Sequence, residues 1–201
     1  MPSWKPSFDR ADVTIEKVER AFDGFFKVDR MTLTHPRFEK GEIKVVRELF
    51  KRGDAVCLVL YDPLKDRVVL IEQFRVGALA GPSPWVLELV AGIVEPGESA
   101  AQVAIREADE EAGVSVSNLR SIIRFMPSGG GCDEWIELMY AEVDSDLASG
   151  IHGLEAENED IKVHVMSAED AFELVRQGVV NSSPAIIGLQ WLELNRDRLV
   201  G

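Results

Sequence analysis

The acidic stretch from Gly92 to Val114, GIVEPGESAAQVAIREADEEAGV, limits what this chain can become more than any other. Glu107 and Glu111 are four residues apart, so on a helix they stand one above the other on one face, with Glu110 beside them. Stacked carboxylates repel. Such a face is therefore either an ordinary solvated acidic surface or one that holds a cation over its acids. The helix itself is legible. Glu95-Pro96-Gly97-Glu98 reads as a turn, Ser99 with Gln102 as a capping box, Val103, Ala104 and Ala108 as a short apolar stripe, and Gly113 as the stop.

The spacing narrows the choice. Gly92, five residues, Glu98, seven residues, Arg106-Glu107, a small aliphatic, one residue, Glu110-Glu111, one residue, Gly113 and Val114 together resemble the Nudix hydrolase signature at every fixed position. The match covers 23 of 201 residues. The resemblance implies an α/β fold, an αβα sandwich around a mixed sheet, and cleavage of a nucleoside diphosphate linked to another moiety with Mg2+ or Mn2+. Hard oxygen ligands suit such ions. Glu107 and Glu111 are expected as metal ligands, with Glu110 beside them, the carbonyl of Ala91 as a further ligand, and Glu98 as a structural or helper ligand. Arg106, amid these acids, is expected to fix a carboxylate's orientation rather than touch substrate.

Composition excludes some alternatives. A net charge of -13 with no long basic run argues against nucleic acid as a partner. Cys57 and Cys132 form no CxxC and no metal pattern with His35, His152 or His164. No apolar run approaches the length of a membrane span, and the amino terminus, MPSWKPSFDR, has no apolar core. The reading is of a soluble, cytoplasmic protein without a membrane partner.

Two parts are expected. Residues 1–52 read as a small antiparallel β domain, with strands over 28–33 and 43–50 and an aromatic cluster of Phe22, Phe25 and Phe26 around Gly24. So thin a sheet should lean on the main domain or on a second subunit. Residues 53–201 read as the hydrolase domain. The runs DAVCLVLY (54–61) and RVVLIEQF (67–74) predict a buried hairpin, and WVLELVAG (85–92) predicts one strand leading into the acidic helix. Strands are predicted at 119–125, 136–143 and 161–166. A long polar loop is predicted over 144–160, then a helix capped by Ser167 and a last helix opened by Ser183-Pro184.

A wider resemblance adds particular roles. GFF (24–26), VRELFKRG (46–53), IEQFR (71–75), WVLELVAG and SGIHGLEAENEDI (149–161) are similar to the bacterial ADP-ribose pyrophosphatases of that family. This implies a homodimer that exchanges its amino-terminal sheets. It also implies adenine held between Phe25 and Arg47, a phosphate met by Arg75, and a ribose approached by Glu134. The general base would be Glu157, with Glu159 as an auxiliary that could meet metal, and which of the two activates water stays open. A carboxylate on a mobile loop suits that task, since it need reach the water only when substrate is bound. The chain departs from this group at Ser128-Gly129-Gly130, where the relatives carry Ser-Pro-Gly. The added backbone freedom leaves other ADP-sugars, or GDP-mannose, within range. A nucleotide-binding sensor without catalysis would be expected to lack a signature acid, and none is lacking.

Overall fold

The computed structural model describes residues 3–199, apart from the side chain of Glu157. Contacts divide it into two units. One is the described chain up to Gly53 together with Ser128–Glu134, and the other is Asp54–Pro127 with the chain from Trp135 onward.

The first unit is a three-stranded antiparallel sheet in the order β1 (Thr14–Asp23), β2 (Lys27–Pro36), β3 (Glu42–Lys51). Gly41, in the left-handed region at φ 78°, lets the β2–β3 turn close, where the N–H of Arg37 donates to the carbonyl of Gly41 at 2.9 Å. Every residue of β1 is exposed. The Gly-rich segment joins this sheet by backbone bonds on both sides of Phe50: the N–H of Phe50 donates to Gly131 at 2.8 Å, and that of Asp133 donates to Phe50 at 3.2 Å.

The second unit is built on an eight-stranded mixed sheet. Its strands are β4 (Ala55–Asp62), β5 (Arg67–Phe74), β6 (Trp85–Glu88), β7 (Val90–Ile93), β8 (Ser117–Phe125), β9 (Ile136–Glu142), β10 (Ile151–His152) and β11 (Ile161–Ser167). The order is β10-β11-β5-β4-β9-β8, with β6 on β5 and β7 on β4, and β4 runs parallel to β9. Among the described residues three α-helices complete it: α1 (Ala100–Ala112), α2 (Ala168–Arg176) and α3 (Ser183–Asn195).

The continuous apolar runs are explained by burial on both faces. Val56, Leu58 and Leu60 of β4, with Val69 and Ile71 of β5, pack with Val103, Ala104 and Ala108 of α1. Their alternates Cys57, Val59, Tyr61, Val68 and Leu70 pack with Phe172 of α2 and Leu189 and Leu192 of α3. The result is the expected αβα sandwich.

Three expectations are corrected. WVLELVAG is two strands broken at Leu89, because β4 and β5 pair only from Leu60↔Val69 to Asp62↔Arg67. Beyond that they splay, and the chain crosses between them, with Glu88 pairing Ile71 on β5 and Val90 pairing Leu58 on β4. The 144–160 loop is not devoid of structure, since it holds β10 and a 3-10 turn at Glu155–Glu157. Finally, the N-cap of α3 is Ser182, which makes no side-chain cap bond, with Pro184 in the first turn.

Gly188 shows how closely α3 meets the sheet. A Cβ there would lie 2.7 Å from Cγ2 of Val59 and 3.0 Å from Cδ1 of Leu89, both short buried side chains. Overpacking of this kind costs about 1–3 kcal/mol, against a gain of up to about 1 kcal/mol from replacing glycine in a helix. Gly188→Ala is therefore expected to lower stability by about 1–2 kcal/mol in chemical denaturation, and an unchanged denaturation midpoint would contradict this packing.

Candidate active site

The acidic stretch forms its helix as read. Ser99 caps α1 by accepting from the Gln102 N–H while the Gln102 side chain accepts from the Ser99 N–H, and Gly113 closes it in the left-handed region at φ 65°. The apolar stripe, extended by Ala112, seats α1 on the sheet and turns its acids toward β7.

Glu111 is 3 % exposed, and its Oε2 accepts the Ala91 N–H at 2.9 Å. Glu107, one turn earlier, lies against Gly92, where a Cβ would fall 1.9 Å from its Oε1. The glycine that opens the signature is thus the space that the Glu107 carboxylate occupies. Arg106 holds the rest of the cluster. Its Nη1 reaches Glu107 Oε1 at 2.7 Å and Glu110 Oε2 at 3.0 Å, and its Nε lies 3.5 Å from Glu98. Glu98 also accepts the Glu95 N–H and so fixes the preceding turn.

The acidic loop is stitched to the end of α1. The Gly153 N–H donates to the Glu110 carbonyl at 3.2 Å, and His152 sits where a Cβ on Gly113 would go, 2.5 Å from it. Glu159 accepts the Leu154 N–H through its carboxylate and returns its own N–H to the Leu154 carbonyl. Its charge adds repulsion to both Glu107 and Glu111. Arg75, at the end of β5, pairs with Glu88 at 2.7 Å and its charge favours ionised Glu111.

Of the expected residues, Ala91, Glu98, Arg106, Glu107, Glu110 and Glu111 thus converge, with Glu159 and Arg75 within electrostatic reach. The side chain of Glu157 lies outside the described residues. Phe25, Arg47 and Glu134 belong to the first unit. Phe25 is 86 % exposed with its ring 4.8 Å from that of Phe26, Arg47 donates to the Val46 carbonyl, and Glu134 pairs with Arg52 at 2.8 Å. Two residues of the large unit were not singled out by sequence reasoning. Glu88 is a lone acid within an apolar run, and that isolation was the available signal. Gln73 is buried with an amide nitrogen that has no partner among the described residues, and it shares the sheet face of Ile71 and Arg75. Nothing in RVVLIEQF marks it.

The electrostatics fit a divalent cation. Burial pushes Glu111 up to about 8, with Glu107 and Glu159 adding repulsion against the relief from the Ala91 N–H and Arg75. Burial likewise pushes Glu107 up to about 7, with Glu110 and Glu159 adding to it against Arg106. Two adjacent carboxylates that resist ionisation, with one guanidinium bonded among them, are short of positive charge. Among the described residues no three acidic, histidine or cysteine side chains form a ready ion cage. Two carboxylates, one backbone carbonyl and water are a donor set that Mg2+ accepts.

A stability effect follows. Since both folded-state values lie above the ordinary 4.5, the folded protein holds more protons than the unfolded chain in between. That stabilisation is complete below about 4.5 and is lost as pH rises through 7 to 8. In chelator, the melting temperature is expected to fall between pH 6 and pH 9 more steeply for the wild type than for Glu111→Gln. Equal slopes would show that the pair is not strained.

The chain is similar to several known proteins. The NUDIX domain family matches residues 51–186. The ADP-ribose pyrophosphatase of Haemophilus influenzae is 46 % identical over 197 residues, covering 96 % of this chain and 91 % of that protein. The ADP-ribose pyrophosphatase of Escherichia coli K12 is 45 % identical over 196 residues, covering 96 % and 93 %. The GDP-mannose pyrophosphatase of Cronobacter sakazakii is 34 % identical over 175 residues, covering 86 % and 90 %. A crystal structure of an ADP compounds hydrolase superposes with a TM-score of 0.72 at 21 % identity, over 94 % of this chain and 98 % of that one, a likeness of fold. No helix of the described residues is long and apolar enough to cross a membrane.

Proposed function

The chain belongs to the Nudix hydrolase family, and from that premise we propose that it hydrolyses the diphosphate of ADP-ribose to AMP and ribose 5-phosphate. The observation that carries the reading is the pair of half-buried Glu107 and buried Glu111, whose ionisation is costly without a cation and which lies on the helix directly after Arg106. The substrate is supported by identities of 45–46 % to ADP-ribose pyrophosphatases along nearly the whole chain, against 34 % to a GDP-mannose pyrophosphatase.

Mg2+, or Mn2+ in its place, would be held by Glu107, Glu111 and the Ala91 carbonyl, with Glu98 and Glu110 as helpers. When bound, it supplies positive charge to the diphosphate oxygens. The chain's own groups do the rest. Arg106 keeps Glu107 and Glu110 oriented through its fork of N–H donors. Arg75 neutralises a phosphate. Glu157, or Glu159 on the same loop, takes the proton from the attacking water as its oxygen bonds phosphorus and the bridging oxygen leaves. Phe25 and Arg47 hold adenine, and Glu134 approaches the ribose. The active form is a cytoplasmic homodimer in which the amino-terminal sheet, roughly residues 1–52, is exchanged, which suits a sheet whose first strand is exposed throughout.

Product analysis with ADP-ribose, ADP-glucose, GDP-mannose and a diadenosine compound in Mg2+ tests the reading. AMP and ribose 5-phosphate from ADP-ribose, at the highest kcat/KM of the panel, is the expected result. Preference for GDP-mannose would replace the substrate while keeping the reaction, and no hydrolysis of any of the four would remove both. Glu157→Gln is expected to lower kcat while leaving Mg2+ binding intact.

A further inference from the structure

The face of the large sheet under α2 and α3, opposite the one that carries α1, has an opening the hydrolytic site does not use. Beside the paired ends of β5 and β6, and along β11 next to α2, lies a cavity of about 540 Å3, within the roughly 300–1,000 Å3 usual for small-molecule sites. Strand parity puts its lining on that face. Glu72 pairs with Leu87, Phe74 with Trp85 and His164 with Leu70, and Leu70, Leu87 and Met166 all belong to the core beneath α2 and α3. Gln73 and Arg75, the alternates of Glu72 and Phe74, point to the catalytic side.

The walls are apolar and partly uncovered. Trp85 is 57 % exposed and Val179 52 % exposed, with Leu87, Met166 and Leu174 between them. The Trp85 ring is braced by an edge contact with Phe74, centroids 5.7 Å apart. The ionisable groups in the wall are Glu72 and His164, joined by a hydrogen bond of 2.8 Å between His164 Nε2 and Glu72 Oε2. His164 is the only donor to Glu72 among the described residues, so the carboxylate keeps acceptor capacity. No lysine or arginine lines the cavity. Lys162, the cross-strand neighbour of Glu72, is exposed and outside the wall.

We propose that this cavity is a second ligand site, and that its ligand is a small organic cation with a flat aromatic body bearing an amine or amidinium group. The body lies against Trp85, Leu87 and Leu174, where apolar burial and attraction of the cation to the indole face act together. The cationic group donates to Glu72, a charge-assisted bond. An anion of the same shape would meet the Glu72 carboxylate, and the one basic group of the wall, His164, is already bonded to that carboxylate, so the pocket disfavours it. Nucleotides and sugar phosphates are excluded on the same ground, which separates this site from the catalytic one in chemistry as well as in place.

Benzamidine and benzoate share shape and differ in charge, and titration of each into the full chain tests the proposal. Benzamidine is expected to bind saturably and to move the indole N–H resonance of Trp85, assigned by its loss in Trp85→Phe, while benzoate binds at least about tenfold more weakly. Val179→Trp, which fills the mouth, and Glu72→Gln, which removes the charge, should each weaken benzamidine by about tenfold or more with the melting temperature unchanged. The Trp85 resonance in the wild-type chain decides the matter even if a variant does not fold. Equal binding of benzoate, benzamidine binding that leaves Trp85 unmoved or survives Val179→Trp, or a silent titration such as a second copy of the chain over the mouth would produce, overturns it.

Discussion

Glu111→Gln is expected to lower turnover by about a thousandfold or more while raising the melting temperature of the metal-free protein. The two effects have one cause. The Glu111 carboxylate is 3 % exposed and is repelled by Glu107 and Glu159, so burial and repulsion raise its pKa to about 8, and the one donor that meets it among the described residues is the Ala91 N–H. A glutamine carbonyl accepts that same N–H, and no charge then has to be buried. The fold keeps its contact and loses its strain. Catalysis loses a ligand charge that metal assistance requires, and several kcal/mol of transition-state stabilisation correspond to about a thousandfold in rate. Trading stability for a functional charge is common at active sites. Rate measurements on ADP-ribose and thermal melts in chelator and in Mg2+ check both halves. Near-normal turnover would remove Glu111 from the metal site, and a lower melting temperature in chelator would mean that it serves the fold instead.

How much of this was legible in the sequence depended on the range of the interaction. The helix α1 was readable because its cap, stripe and stop are local, and Ser99, Gln102 and Gly113 each act within a turn. The hairpin of β4 and β5 was readable for the same reason, as burial on both faces writes a continuous apolar run. The break at Leu89 was not, because it reflects two strands splaying apart, and WVLELVAG is as apolar on one partner as on two. Likewise the spacing put Arg106 among the acids, but its bonds to Glu107 and Glu110 and its approach to Glu98 depend on where α1 sits over the preceding turn. Glu88 and Gln73 gained meaning only from pairing across strands. The Gly-rich segment at 128–134 showed in the sequence only as added backbone freedom at Ser128-Gly129-Gly130, and its place beside Phe50 rests on backbone bonds between residues some 80 positions apart.

Gly92→Ala is expected to cost about a hundredfold or more in kcat with little change in stability, and the reason lies in which atom the new methyl group would meet. Gly92 has no positive φ, so alanine is acceptable to its backbone. The Cβ would fall 1.9 Å from Oε1 of Glu107, 2.3 Å from its carboxyl carbon and 2.5 Å from its Cγ. These atoms are the far end of a flexible side chain, not backbone or packed core. Glu107 therefore turns away, and β7 and α1 keep their places. The contrast is Gly188, where the obstacles are short buried aliphatics and the cost falls on the fold. At Gly92 the cost is expected to fall on function, because the displaced carboxylate is one of the two proposed to hold the cation, and a misplacement of about 1 Å is worth roughly a hundredfold in rate. Three measurements on one variant separate the cases. The melting temperature in chelator should match the wild type, the Mg2+ concentration for half-maximal rate should rise, and kcat should fall. A variant with unaltered kcat and Mg2+ dependence would show that the carboxylate has another productive position and that the glycine opening the signature is not there to make room for Glu107.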